Sequence, residues 1–139
     1  LVKQAGNKLN KTIYFLDAVP QDELLKYTNS ADFGIIPYPP VDLNSKYCMP
    51  NKMFEYIQAE LPIMANGLIE VGKIMEQLNG GGRIYDLNTE DKMAIAIQDF
   101  ITRDLEQDRL SLQIAKKKFS WDVEKEKYYF IIREVINGE

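Results

Sequence analysis

Histidine is absent from this chain of 139 residues, and that absence removes a large block of chemistry. Ser-His-Asp and Cys-His catalysis both need the imidazole, as do histidine metal sites. A single cysteine, Cys48, excludes an internal disulfide and a thiolate zinc cluster and suits a reducing cytoplasm. No apolar run is long enough to span a bilayer, and no stretch reads as a signal peptide. Basic residues are in deficit: Lys+Arg 17 against Asp+Glu 21 leaves a net charge of −4. A duplex-binding stripe has the opposite sign, so nucleic acid is not expected as a partner. No metal or resident cofactor is expected either.

What remains is ordinary for a soluble globular domain, with 45% hydrophobic and 27% charged residues. A chain of this length buries roughly two thirds of its unfolded surface and needs no staples. The first residue is Leu1, which reads as a fragment boundary.

Short apolar runs alternate with helical segments. Thr12-Ile13-Tyr14-Phe15-Leu16 is β-branched and aromatic and predicts a strand. Pro20 occupies a first helical position, with Asp22 and Glu23 in the first turn and Leu24, Leu25 and Tyr27 beyond. Asp32 to Pro37 predicts a second strand, apolar enough for a parallel sheet covered on both faces. Tyr38 to Pro50, with Pro39, Pro40 and Pro50, reads as a long irregular loop. A helix is predicted over about 51–59, a strand over Leu61 to Ala65, a turn at Asn66-Gly67 and a helix over Ile69 to Leu78. Asn79-Gly80-Gly81-Gly82 follows a helix and precedes a strand. It therefore reads as a helix end and turn, not as a phosphate loop.

Arg83-Ile84-Tyr85 is a short fourth strand. Asn88 is read as the N-cap of the next helix, with Met93, Ile97, Phe100 and Ile101 at helical spacing. Leu105 to Phe119 predicts another helix. Ser120 caps the last, whose apolar stripe is Val123, Tyr128, Ile131, Ile132 and Val135. Trp121 reads as a packing anchor, Lys116-Lys117-Lys118 as a solvated helix end, and Asn10-Lys11-Thr12 as a sequon without consequence in a cytoplasmic protein. The alternation predicts an α/β domain with a mostly parallel, Rossmann-like sheet and flanking helices.

In such a sheet ligands bind beyond the carboxyl ends of the strands. The candidate loops are Asp17 to Val19, Tyr38 to Pro50 and Asn66 to Leu68. The second runs straight into a helix, whose N-terminus offers unpaired N–H groups and the positive end of a dipole. At about 100° per residue, Asn51, Lys52 and Glu55 share one face. Lys52 can meet phosphate charge. Glu55, one turn further in, suits a pair of sugar hydroxyls. A nucleotide asks for both, although plain solvation of a polar face gives the same pattern.

The same residues carry a resemblance. Pro50-Asn51-Lys52-Met53-Phe54-Glu55-Tyr56-Ile57-Gln58-Ala59-Glu60-Leu61-Pro62-Ile63-Met64-Ala65 is similar to the central motif of retaining, GT-B fold bacterial glycosyltransferases. There the usual form is Pro-Asn-Lys-Leu-Phe-Glu-Tyr, a short helix, then Gly-x-Pro-Val-Val-Ala. Ser30-Ala31-Asp32-Phe33-Gly34-Ile35-Ile36-Pro37 resembles the preceding strand of that family, and Phe119-Ser120-Trp121-Asp122 the start of its last helix.

The resemblance implies the donor-binding part of a glycosyltransferase in polysaccharide or glycoconjugate assembly, moving a sugar from a nucleotide-diphosphate donor to an acceptor hydroxyl without a metal. Glu55 would bond the donor ribose, with Asn51, Lys52 and Ser45 also in the donor site; no catalytic residue is assigned. Residues 1–139 would be a partial second domain, closed by helices over about 89–137.

Tyr47 stands where many members carry a further glutamate. Glu60 replaces the usual glycine and is expected to close its helix without a positive φ. The acceptor domain and two earlier strands would lie outside the chain, leaving sheet edges free to pair a second copy and the isolated chain without transferase activity. Location would be cytoplasmic, with the parent able to associate at the inner membrane face. A non-catalytic Rossmann-like nucleotide-binding or interaction module is the alternative. A phospho-receiver is rejected because Pro37 and Tyr38, not Asp, end the Asp32 strand.

Overall fold

The computed structural model describes residues 6–8 and 11–138; Asn10 of the sequon lies outside them. Its centre is a parallel sheet of three strands, β1 (Gly34–Ile36), β2 (Ile63–Asn66) and β3 (Gly82–Tyr85), ordered β1-β2-β3. The register sets Ile35 beside Met64 and Ala65 beside Ile84.

The helices are α1 (Gln21–Asn29), α2 (Leu43–Tyr47), α3 (Asn51–Gln58), α4 (Ile69–Leu78), α5 (Glu90–Phe100), α6 (Leu105–Ala115) and α7 (Trp121–Asn137). The α/β expectation therefore holds, as mixed α/β with a small parallel sheet and flanking helices, an arrangement compatible with a Rossmann-like fold.

Period-two alternation along β2 splits the core. Ile63 and Ala65 face one side, where α3 supplies Met53 and Ile57, α4 supplies Val71 and Leu78, and α6 supplies Leu112 and Ala115. Met64 faces the other side, against Leu87, Ala96 and Phe100. The Phe100 ring lies 5.2 Å from that of Phe33 and 6.1 Å from that of Tyr85, within the range of favourable aromatic pairs. Every β2 residue is buried, which is why Ile63, Met64 and Ala65 are apolar on both faces of the sheet.

Several expectations are corrected. Thr12 to Leu16 forms no strand: Ile13 holds a single bridge and the chain is irregular from Tyr14 to Pro20. Strand propensity needs a partner edge and a surface to bury against, and here Phe15 and Leu16 are 46% and 75% exposed. The long loop is interrupted by α2, capped by Asp42, whose Oδ1 accepts from Ser45 N at 2.6 Å.

The N-cap of α5 is Thr89, not Asn88; the Asn88 side chain is engaged with Asp86 and Asn66 instead. The helix expected to reach Phe119 stops at Ala115, and Lys116 pairs with Glu60. Ser120 stands at the N-cap of α7 but gives no side-chain cap; its hydroxyl donates to Lys117 O. Trp121 is no packing anchor, being 70% exposed, and no residue of α7 is buried.

Glu60 carries φ +54°, against expectation. Glu60 N donates to Ile57 O and Leu61 N to Tyr56 O, the bond pair that a glycine at this helix end makes.

Candidate functional site

Parallel strands joined by helices force each joining helix to run back against the sheet, so α3, which joins β1 to β2, and α4, which joins β2 to β3, both start at the carboxyl edge of the sheet. The turn predicted to receive phosphate is therefore at the edge where ligands bind in such folds. Pro50, in extended backbone with φ −70° and ψ 139°, precedes α3 and supplies no side-chain cap. Met53 N donates to Pro50 O at 3.0 Å, so the Asn51 and Lys52 amides are the ones left for solvent or a ligand.

Asn51 and Lys52 are exposed and Glu55 is half-buried. Among the described residues the Lys52 and Glu55 side chains make no hydrogen bond or ion pair. The three expected residues thus share a face, as the wheel predicts. Met53 and Ile57, on the opposite arc, are fully buried.

Ser45 lies elsewhere on the same edge. It lines a hollow of about 250 Å³ with Tyr38, Pro39, Val41, Asn44 and Cys48. Ser45 is thus carried by α2, and Asn51, Lys52 and Glu55 by α3, two successive helices of the same connection. Tyr47 is exposed on α2, which packs against α4.

The far end of α3 is fastened on several sides. Asn29 Nδ2 donates to Ala59 O at 2.6 Å. Gln58 Nε2 donates to Lys116 O and Phe119 O at 3.0 and 3.1 Å. Arg109 donates to Glu60 O at 3.3 Å and to Ala31 O at 2.6 Å. Tyr56 leans on β1, its hydroxyl 3.4 Å from Ile35 O. Burial first, and then the charge of adjacent Glu55, push its phenol above the ordinary range. These contacts fix the axis on which Glu55 is carried.

The sequence sets Asn66 in a turn and a candidate ligand loop but does not mark it as the most buried polar side chain at this edge. Asn66, the last residue of β2, is 2% exposed. Its Nδ2 donates to Tyr38 O at 3.0 Å and to Asn88 Oδ1 at 2.9 Å. Its Oδ1 accepts from Gly67 N at 3.1 Å and Leu87 N at 3.2 Å. Asn88 in turn donates to Asp86 Oδ1 at 2.8 Å, and Asp86 pairs with Lys92 at 2.5 Å. The Lys92 bond first, then the Asn88 amide, hold the Asp86 carboxyl below its ordinary value. The available signal was an amide side chain at the end of an otherwise apolar strand.

Among the described residues no group of acidic or thiol side chains is arranged to hold a metal ion, and no helix is long and apolar enough to cross a membrane. No family model, curated protein or solved structure matches this chain.

Proposed function

We propose that this chain is the donor-binding part of a GT-B type glycosyltransferase, taking a nucleotide-diphosphate sugar at the carboxyl edge of its sheet. The observation that carries the reading is the placement of Glu55. It sits one turn inside a helix that starts at that edge with no side-chain cap, on the face shared with Asn51 and Lys52, and its carboxylate has no hydrogen-bonding partner among the described residues. Diphosphate oxygens would take the Asn51 and Lys52 backbone amides and the Lys52 ammonium. The Glu55 carboxylate would accept from the two ribose hydroxyls. Ser45 would approach from the α2 side. Transfer to an acceptor hydroxyl would need a second domain, and the outer edges of β1 and β3, unpaired among the described residues, and the exposed apolar face of α7 support a larger assembly around this one.

Calorimetric titration with UDP, GDP and their sugars tests this directly. The expected result is saturable binding weakened in Glu55→Ala by about 1–3 kcal/mol, the cost of hydroxyls left without their acceptor. Equal affinity in a folded Glu55→Ala variant would remove Glu55 from the site. No saturable binding by any of these ligands would overturn the reading. Sugar transfer is expected only from the enzyme that contains both domains.

A further inference from the structure

The geometry points to Asn66 as a positioning residue that holds the three ligand-facing loops of the sheet edge in one arrangement, a role that rests on the donor-binding reading above. Four bonds use every hydrogen-bonding position of its amide: two N–H donors and two acceptor sites. They fall on three separate connections. Tyr38 belongs to the loop after β1, Gly67 to the loop after β2, and Leu87 and Asn88 to the loop after β3. The side chain stands on the central strand, is almost wholly buried, and is the only buried uncharged polar side chain of the described core.

Two features separate this from ordinary satisfaction of a buried amide. Its orientation is determined, because two backbone N–H groups converge on Oδ1 and leave only Nδ2 for the carbonyl of Tyr38. And the one bond reaching the β1 side lands at the start of the segment that carries Ser45 and leads into the first turn of α3. Losing Asn66 therefore releases the approach to Asn51 and Lys52 while leaving both side chains present. A ligand that needs that turn in place then meets the ordering cost itself, which lowers its affinity.

The test compares the intact chain with Asn66→Ala and, as a control for plain loss of a buried polar contact, Asp108→Asn. In the wild type the Asn66 Nδ2 protons should exchange slowly with water by NMR. Rapid exchange would overturn the proposal without any variant, which keeps it testable if Asn66→Ala does not fold. In Asn66→Ala, backbone amides over 38–49 should exchange about tenfold faster or more, with α6 amides unchanged. Asp108→Asn should lower global stability and leave 38–49 as in the wild type.

UDP affinity should fall roughly five- to tenfold in Asn66→Ala and stay unchanged in Asp108→Asn. An unaltered loop in a folded Asn66→Ala, or a loosened loop with undiminished UDP affinity, would overturn the positioning role. A wild type that shows the slow Nδ2 exchange but no affinity for UDP, GDP or their sugars would instead refute the donor-binding reading.

Discussion

Gly34 on β1 and Tyr56 on α3 meet with no room between them: a Cβ at position 34 would stand 2.6 Å from Cδ2 of the Tyr56 ring. The helix that carries Glu55 is thus seated directly on a strand residue without a side chain. Gly34→Ala should push the ring off β1 and destabilise the fold by about 1–3 kcal/mol, the usual cost of overpacking. The same change in a Tyr56→Leu background should cost clearly less, since residues in contact couple. Urea midpoints of the four proteins measure this, and an additive cycle would show that the two residues do not touch.

Glu60 sits in the left-handed region at φ +54°, where a side chain costs about 1 kcal/mol relative to glycine. Against that strain it gains a partly exposed pair with Lys116, an interaction worth about 0–1 kcal/mol. Glu60→Gly should therefore leave stability within about 1 kcal/mol of wild type. Glu60→Ala keeps the strain and loses the pair, so it should be the less stable of the two variants. Thermal unfolding orders them, and an Ala variant more stable than Gly would contradict the helix-end geometry.

Residues whose environment is set by neighbours in sequence were readable; those set by distant neighbours were not. The run from Asn51 to Gln58 declares its helix and its buried stripe because Met53 and Ile57 repeat at helical spacing. The Asn79-Gly80-Gly81 break was legible for the same reason, and Asn79 does take φ +51°. Thr12 to Leu16 has every local mark of a strand, yet its pairing depends on an edge that no residue of the segment specifies. Asn88 looked like an N-cap until Asn66, far away in sequence, claimed its side chain. Of the site, the shared face of Asn51, Lys52 and Glu55 was visible from periodicity. The amide joint at Asn66 was not, because three of its four partners belong to other loops.

Tyr85 donates to Asp99 Oδ2 at 2.6 Å, and Arg83 approaches the same oxygen at 3.3 Å. The Tyr85 bond first, then the Arg83 charge, hold the Asp99 carboxyl below its ordinary value. Burial first, then Asp99, hold the Tyr85 phenol above its own. A carboxyl depressed by folding contributes stability that is present above about pH 4 and lost as pH falls through its lower folded value. A phenol raised by folding contributes below about pH 10, and that contribution is lost as pH rises through its higher folded value. Tyr85→Phe should therefore lower the urea midpoint near pH 7, where both contributions are present, and approach the wild type at both extremes, which flattens the profile. An unchanged acid limb would mean that Asp99 is not held by this phenol.

Two glycines make opposite predictions from the same substitution. A Cβ on Gly82 would lie 2.1 Å from the backbone oxygen of Ile63, inside the β2–β3 ladder. Backbone on both sides leaves nothing flexible to yield, so Gly82→Ala should separate β3 from β2 and cost about 3 kcal/mol or more. Gly72 lies inside α4 with nothing within 4 Å of where its Cβ would stand. There alanine only removes freedom from the unfolded chain, and Gly72→Ala should stabilise by about 0.5–1 kcal/mol. Because β3 carries the loop that Asn66 ties through Leu87 and Asn88, the Gly82 variant should also lose protection at those amides. A Gly82→Ala protein as stable as wild type would mean that β3 does not pair with β2 in this register.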